Sequence, residues 1–181
     1  MYTKELLTVL FACISFTLVA QTGNYTVNMK GIADFKIGMK KTEVEKLLGQ
    51  PLKLKNLLIK DEWTRDTILH KYKDLDISLV FDKQFVEDNK TEIVLWQAFS
   101  SSPLIKTPSG ITIGDDKIKI ITTYDGYTIH IAPDYEDNFT VKSKTKSTVY
   151  LYGDEGGNQI CFYLDKNKVY AIGVSYMEEY D

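Results

Sequence analysis

The sequence predicts an α+β fold: two tandem repeats, each a short helix plus about three to four antiparallel strands, with the helices on one face of the sheet. Three observations predict it. Residues 35–51 read as a short strand, a tight turn, a capped helix and a stop. Leu75, Ile77, Leu79 and Phe81 alternate with Asp76, Ser78 and Val80, the pattern of a half-buried strand. Both blocks then recur in the same order. Ile111-Thr112-Ile113-Gly114 echoes Phe35-Lys36-Ile37-Gly38, and Ile160-Cys161-Phe162-Tyr163-Leu164-Asp165-Lys166 echoes Ile77-Ser78-Leu79-Val80-Phe81-Asp82-Lys83. One echo alone would be weak; two in order argue for duplication. The expected organisation is a signal peptide over 1–20, a linker over 21–33, a first repeat over 34–100, a linker over 101–110 and a second repeat over 111–181.

The chain of 181 residues is 44% hydrophobic, enough for a core. Its net charge is -3 and it has no dense Lys/Arg block, which argues against nucleic acid as a partner. Residues 6–20 are apolar and uncharged, yet shorter than the about 20 residues a membrane span needs. With Lys4 before them and Ala20 at the end, they read as an export signal, so the expected location is periplasmic or secreted. Leu10-Phe11-Ala12-Cys13 resembles a lipoprotein cleavage box, and a membrane enters only if Cys13 is lipidated. Cleavage at Ala20 leaves Cys161 as a single cysteine, so the fold must stand without an internal disulfide.

Residues 21–33 are polar without a period and read as a leader or linker. In the next stretch Thr42-Glu43-Val44-Glu45 fits a capping box, with Thr42 accepting from Glu45 and Glu45 reaching back to residue 42. Val44, Leu47 and Leu48 share one helical face, Gly49 suits the left-handed end, and Pro51 stops the helix. Residues 63–72, 75–81 and 91–99 read as strands, with a turn at Lys73-Asp74 and a charged loop over 82–90. Ser-Ser-Ser, Pro103, Pro108 and Gly110 mark the boundary between the halves.

In the second half a helix is expected near 116–124, with Asp115 or Asp116 as cap and Ile120 in the place of Val44. Residues 127–131, 147–152, 158–164 and 168–176 read as strands, and 133–146 as a loop.

Ile37-Gly38-Met39, Val44, Leu47-Leu48-Gly49 and Pro51, followed by a strand ending Phe81-Asp82, resemble the SmpA/OmlA small outer-membrane-assembly lipoproteins. The tandem copy looks like the related β-lactamase-inhibitor-protein fold, built from two such units. The resemblance implies an envelope or secreted protein that acts through protein–protein contact, with no enzyme activity.

The residues themselves point the same way. His70 and His130 are the two histidines; each lies in an expected strand without a second ligand at metal spacing. No His-x-Glu, Cys-x-x-Cys or Gly-x-Ser-x-Gly motif occurs, so no catalytic, cofactor or metal residue is assigned. Twelve tyrosines are more than a core needs. If Ile160, Phe162 and Leu164 face inward, Cys161 and Tyr163 face away, and Thr148, Tyr150 and Tyr152 share that outer face. Trp96, Tyr150, Tyr152, Tyr163 and Tyr170 are therefore the expected partner-binding residues; the alternative is a second core layer. The expected function is an exported, noncatalytic protein-binding module of inhibitor, neutralising or assembly-accessory type. The alternative is a small-molecule or glycan-binding envelope protein that uses the same aromatic face.

Overall fold

The computed structural model describes residues 25–55, 57, 65–86, 90–136, 140–153 and 157–177. The expected signal peptide over 1–20, with Cys13, lies outside the described residues.

Seven strands form one antiparallel sheet. They are β4 (Asp66–Tyr72), β5 (Leu75–Val86), β6 (Lys90–Ser100), β8 (Ile129–Glu136), β9 (Val141–Tyr152), β10 (Asn158–Asp165) and β11 (Lys168–Tyr176), in the order β4-β5-β6-β11-β10-β9-β8. The two halves of the chain meet where β6 pairs with β11, from Gln97↔Ser175 to Ser100↔Ile172. Four short strands make a second sheet: β1 (Tyr25–Asn28), β2 (Gly31–Ile32), β3 (Phe35–Lys36) and β7 (Ile105–Lys106), in the order β3-β2-β1-β7. The helices are α1 (Lys41–Leu48) and α2 (Lys117–Thr123).

The expected α+β class is corrected. Strands take about 59% of the described residues and helices 11%, so the fold is mostly β. The physical reason is what covers the large sheet. Of the helical residues only Val44 and Ile120 are buried. Val27, Ile32, Phe35, Ile105 and Ile111, all from extended segments, are each 0% exposed and belong to the same core. The small sheet, not a layer of helices on one face, supplies much of the inner cover.

The linker readings change for the same reason. Residues 25–33 form β1 and β2 and bury Val27 and Ile32; strands of four and two residues are too short to show a period. Residues 101–110 contain β7, with Ile105 and Thr107 buried. β1 pairs in parallel with β7, so the supposed boundary is hydrogen-bonded to a strand that precedes the first expected repeat. Of the charged loop expected over 82–90, residues 82–86 belong to β5 and Lys90 to β6. The loop expected over 133–146 is mostly the far half of the β8–β9 hairpin.

Helix α1 ends as its sequence dictates, with Gly49 in the left-handed region at φ 68°. Its start lies elsewhere than expected. Lys40 is the cap residue, and Glu43, not Glu45, reaches back to accept its N–H at 2.8 Å. Glu45 instead accepts from Lys41 Nζ and, at 2.7 Å, from the N–H of Leu52. In α2 the cap is Asp116, while Asp115 accepts from the N–H of Thr112 and from Lys119 Nζ, both at 2.8 Å.

The turns before the two helices are built alike. Gly38 N–H donates to the carbonyl of Leu95, and Leu95 N–H to that of Met39; Gly114 N–H donates to Val169, and Val169 N–H to Asp115. Gly38 sits at φ 85° and Gly114 at φ 89°, a region L side chains avoid. These turns anchor on β6 and β11 beside the stretch where those strands pair.

Candidate functional site: the outer face of the large sheet

Cross-strand partners share a face, so the register sorts the sheet into two sides. One row runs Ile68, Leu79, Ala98, Val174, Ile160, Leu151 and Ile129. Every member is apolar, and this row faces the core. The next row runs Leu69, Ser78, Phe99, Gly173, Cys161, Tyr150 and His130, on the opposite side. Its ends are exposed, Leu69 at 81%. Its small members Ser78 and Cys161 are buried beneath larger neighbours.

Gly173 sets the centre of this face. A Cβ there would stand 2.8 Å from Phe99 Cβ and 3.3 Å from Tyr163 Cε2. With no side chain at Gly173, the Phe99 and Tyr163 rings approach to 6.0 Å between centroids. Tyr163 also meets Tyr170 at 6.2 Å, and His130 lies 6.1 Å from Tyr150. Gln97 Nε2 donates to Tyr163 Oη at 2.6 Å. Burial, then the neighbouring Cys161 and Tyr150, push the Tyr163 phenol well above its usual pKa, so it stays a neutral hydroxyl. Burial, then Asp134 and Asp165, raise Tyr170.

Two bulges re-aim side chains. Between Val80 and Phe81 the partner shifts from Gln97 to Leu95, leaving Trp96 as the extra residue of β6. Between Tyr163 and Leu164 it shifts from Ala171 to Val169, leaving Tyr170 as the extra residue of β11. Arg65 Cζ lies 3.4 Å from the centroid of the Trp96 ring, and its Nε bonds Asp82 Oδ2 at 2.8 Å. The Trp96 ring is therefore partly covered by an ion-paired guanidinium. Tyr170 is 41% exposed.

Beside Tyr170 the sheet opens into a groove of about 550 Å³, lined among others by Leu69, Lys71, Asp76, Ser78, Phe99 and Tyr170. Pairing between β6 and β11 ends at Ser100↔Ile172, whereas β11 begins at Lys168, so the groove lies where β6 leaves the sheet. Ser100 Oγ closes its floor by donating to the carbonyl of Asp76 at 2.5 Å.

Of the five expected residues, Tyr150, Tyr152, Tyr163 and Tyr170 lie on this outer face. Tyr152, half-buried and paired with Gln159, lies toward the end of β9. Trp96 is half-buried on the first-half side of the sheet, under Arg65. Sequence reasoning missed Leu69, Phe99 and His130 as members of the face. The alternation of Leu69 with Ile68 and His70 held that signal; for Phe99 the bulge at Trp96 breaks the phase.

His70 also borders the groove. It pairs in register with Ile77, while Asp76 pairs with Lys71, so His70 and Asp76 project to opposite faces. His70 Nδ1 lies 3.3 Å from Gln50 Nε2. Among the described residues no group of three or more His, Cys, Asp or Glu side chains could hold a metal ion. Among the same residues no helix is long and apolar enough to cross a membrane. Comparison with protein-family models, with curated proteins and with solved structures gives no match.

Proposed function

We propose that this chain is an exported, noncatalytic binding protein that docks another protein on the outer face of its large sheet. The observation that carries the reading is the row Leu69–His130, with Phe99 and Tyr163 packed against Gly173 and Tyr170 against Tyr163. Such a face joins rigid aromatic area to polar tips, which is what protein interfaces use as anchors. Rings already held by one another lose little conformational freedom on binding. The apolar, uncharged run over 6–20 supports export, and the resemblance of residues 37–51 to envelope lipoproteins supports action by contact. Inhibitor, neutralising and assembly-accessory roles all fit this reading.

The test is co-purification of the full chain from its own envelope or secreted fraction. One protein at fixed stoichiometry, lost in Tyr150→Ala and Leu69→Ser and retained in the α2 variant Ile118→Ser, supports the reading. Equal recovery by all variants, or a glycan-array signal with no protein, contradicts it.

A further inference from the structure

We infer that the groove beside Tyr170 receives an extended peptide segment of the partner, apolar where it meets Leu69, Phe99 and Tyr170 and charged where it meets Lys71 and Asp76. This rests on the protein-docking reading and names the part of the partner that enters.

The shape argues for an extended chain. The walls are strands: residues 69–71 of β4 and 76–78 of β5 on one side, Tyr170 and Ala171 of β11 on the other. Three residues of strand span about 10 Å, room for two to three residues of peptide laid along the same direction. The groove continues the line that β6 abandons at Ser100, so its long axis is a strand axis. A volume of about 550 Å³ is in the usual range for a small-ligand or peptide site.

The chemistry argues for an amphipathic segment. Leu69 at 81% exposure and Tyr170 at 41% leave apolar surface that a side chain entering between them would cover. Tyr170 points there because the bulge turns it out of the ladder. Lys71 and Asp76 face each other across β4 and β5, and among the described residues neither takes part in an ion pair. Opposite charges left unpaired at one end of an apolar slot suit a peptide whose flanking residues are charged, and they set its direction.

A random-peptide phage library selected on the full-length chain tests this without the partner. The best peptides, made as fluorescent conjugates, are titrated by anisotropy against the parent, Leu69→Ser, Lys71→Glu and Ile118→Ser. Leu69 is so exposed that its loss leaves the fold intact. The expected result is a shared apolar-plus-charged pattern, binding weakened about tenfold or more by Leu69→Ser and Lys71→Glu, and no change with Ile118→Ser. Peptides that bind Leu69→Ser as well as the parent, or no peptide while a glycan array gives a saturable signal, overturn the inference. Failure here with co-purification intact overturns the groove alone; loss of both overturns the docking reading.

Discussion

Gly173 lies directly across the β6–β11 ladder from Phe99, and a Cβ at Gly173 would stand 2.8 Å from that of Phe99. Real Cβ atoms do not approach so closely. The outer aromatic layer therefore depends on a missing side chain at the join between the two halves. Gly173→Ala should destabilise the fold by about 1–3 kcal/mol, because Phe99 or the strand must shift. Urea unfolding measures this, and a Phe99→Gly background, which removes the opposing Cβ, should relieve part of it.

A second glycine carries a different constraint. Gly38 combines φ 85° with a would-be Cβ 2.5 Å from Tyr176 Oη. Gly38→Ala should cost about 1–3 kcal/mol of stability. Removing the hydroxyl in Tyr176→Phe should relieve the clash but not the backbone strain. Gly114, at φ 89° with open space around it, should show the strain alone when changed to Ala.

The small sheet is tied to the β4–β5 turn by titratable pairs. Tyr72 donates its hydroxyl to Asp34, and Lys73 Nζ lies 3.3 Å from the same oxygen. The Tyr72 bond, then Lys73, hold Asp34 below its ordinary pKa, against some desolvation. The Asp34 bond raises Tyr72. The Asp34 contribution is thus present above the unfolded carboxyl pKa of about 3.9 and is lost as pH falls through the lower folded value. The Tyr72 contribution is complete below about pH 10 and is lost as pH rises through the higher folded value. The stability gap between parent and Tyr72→Phe should be widest between these limits and narrow at both ends, as urea midpoints across pH would record.

Arg65 covers Trp96, and this can be read optically. In a Trp63→Phe background, Arg65→Ala should shift Trp96 emission to the red and increase its quenching by iodide. The stability lost should be only about 0.5–1 kcal/mol, as befits a partly exposed cation–π contact.

Legibility in the sequence followed the number of sides a segment buries. Leu75, Ile77, Leu79 and Phe81 alternate because one side of β5 faces the core and the other does not, and their strand was readable. Gly49 announced the end of α1, since glycine takes the left-handed position past a helix end at least cost. The start of α1 was misplaced because Glu43 and Glu45 both fit a capping rule, and they are separated only by the bonds each makes: Glu43 to the N–H of Lys40, and Glu45 to Lys41 and Leu52. The far ends of β8 and β9 run beyond the core, so Tyr135, Val141, Lys142 and Lys144 show no buried period. Val27 sits between polar neighbours and Ile32 between Gly31 and Ala33, in strands too short to alternate, which hid the small sheet and tilted the expectation toward α+β. On the outer face, the tyrosines of β9 and β10 were legible from alternation. Leu69 was legible in the same way, but Phe99 was not, because the bulge at Trp96 breaks the phase of β6 and its place opposite Gly173 depends on the β6–β11 pairing across the chain midpoint.

The outer face as a docking surface is tested most directly by photo-crosslinking in cells that make the protein. A photoreactive residue would be placed singly at Leu69, His130 or Tyr170 on the outer face, and at Ile118 or Glu43 elsewhere. One crosslinked protein from the outer positions, absent from Ile118 and Glu43, is the result the account predicts. Crosslinks of equal yield at Ile118 and Glu43, or none from any outer position, would contradict it.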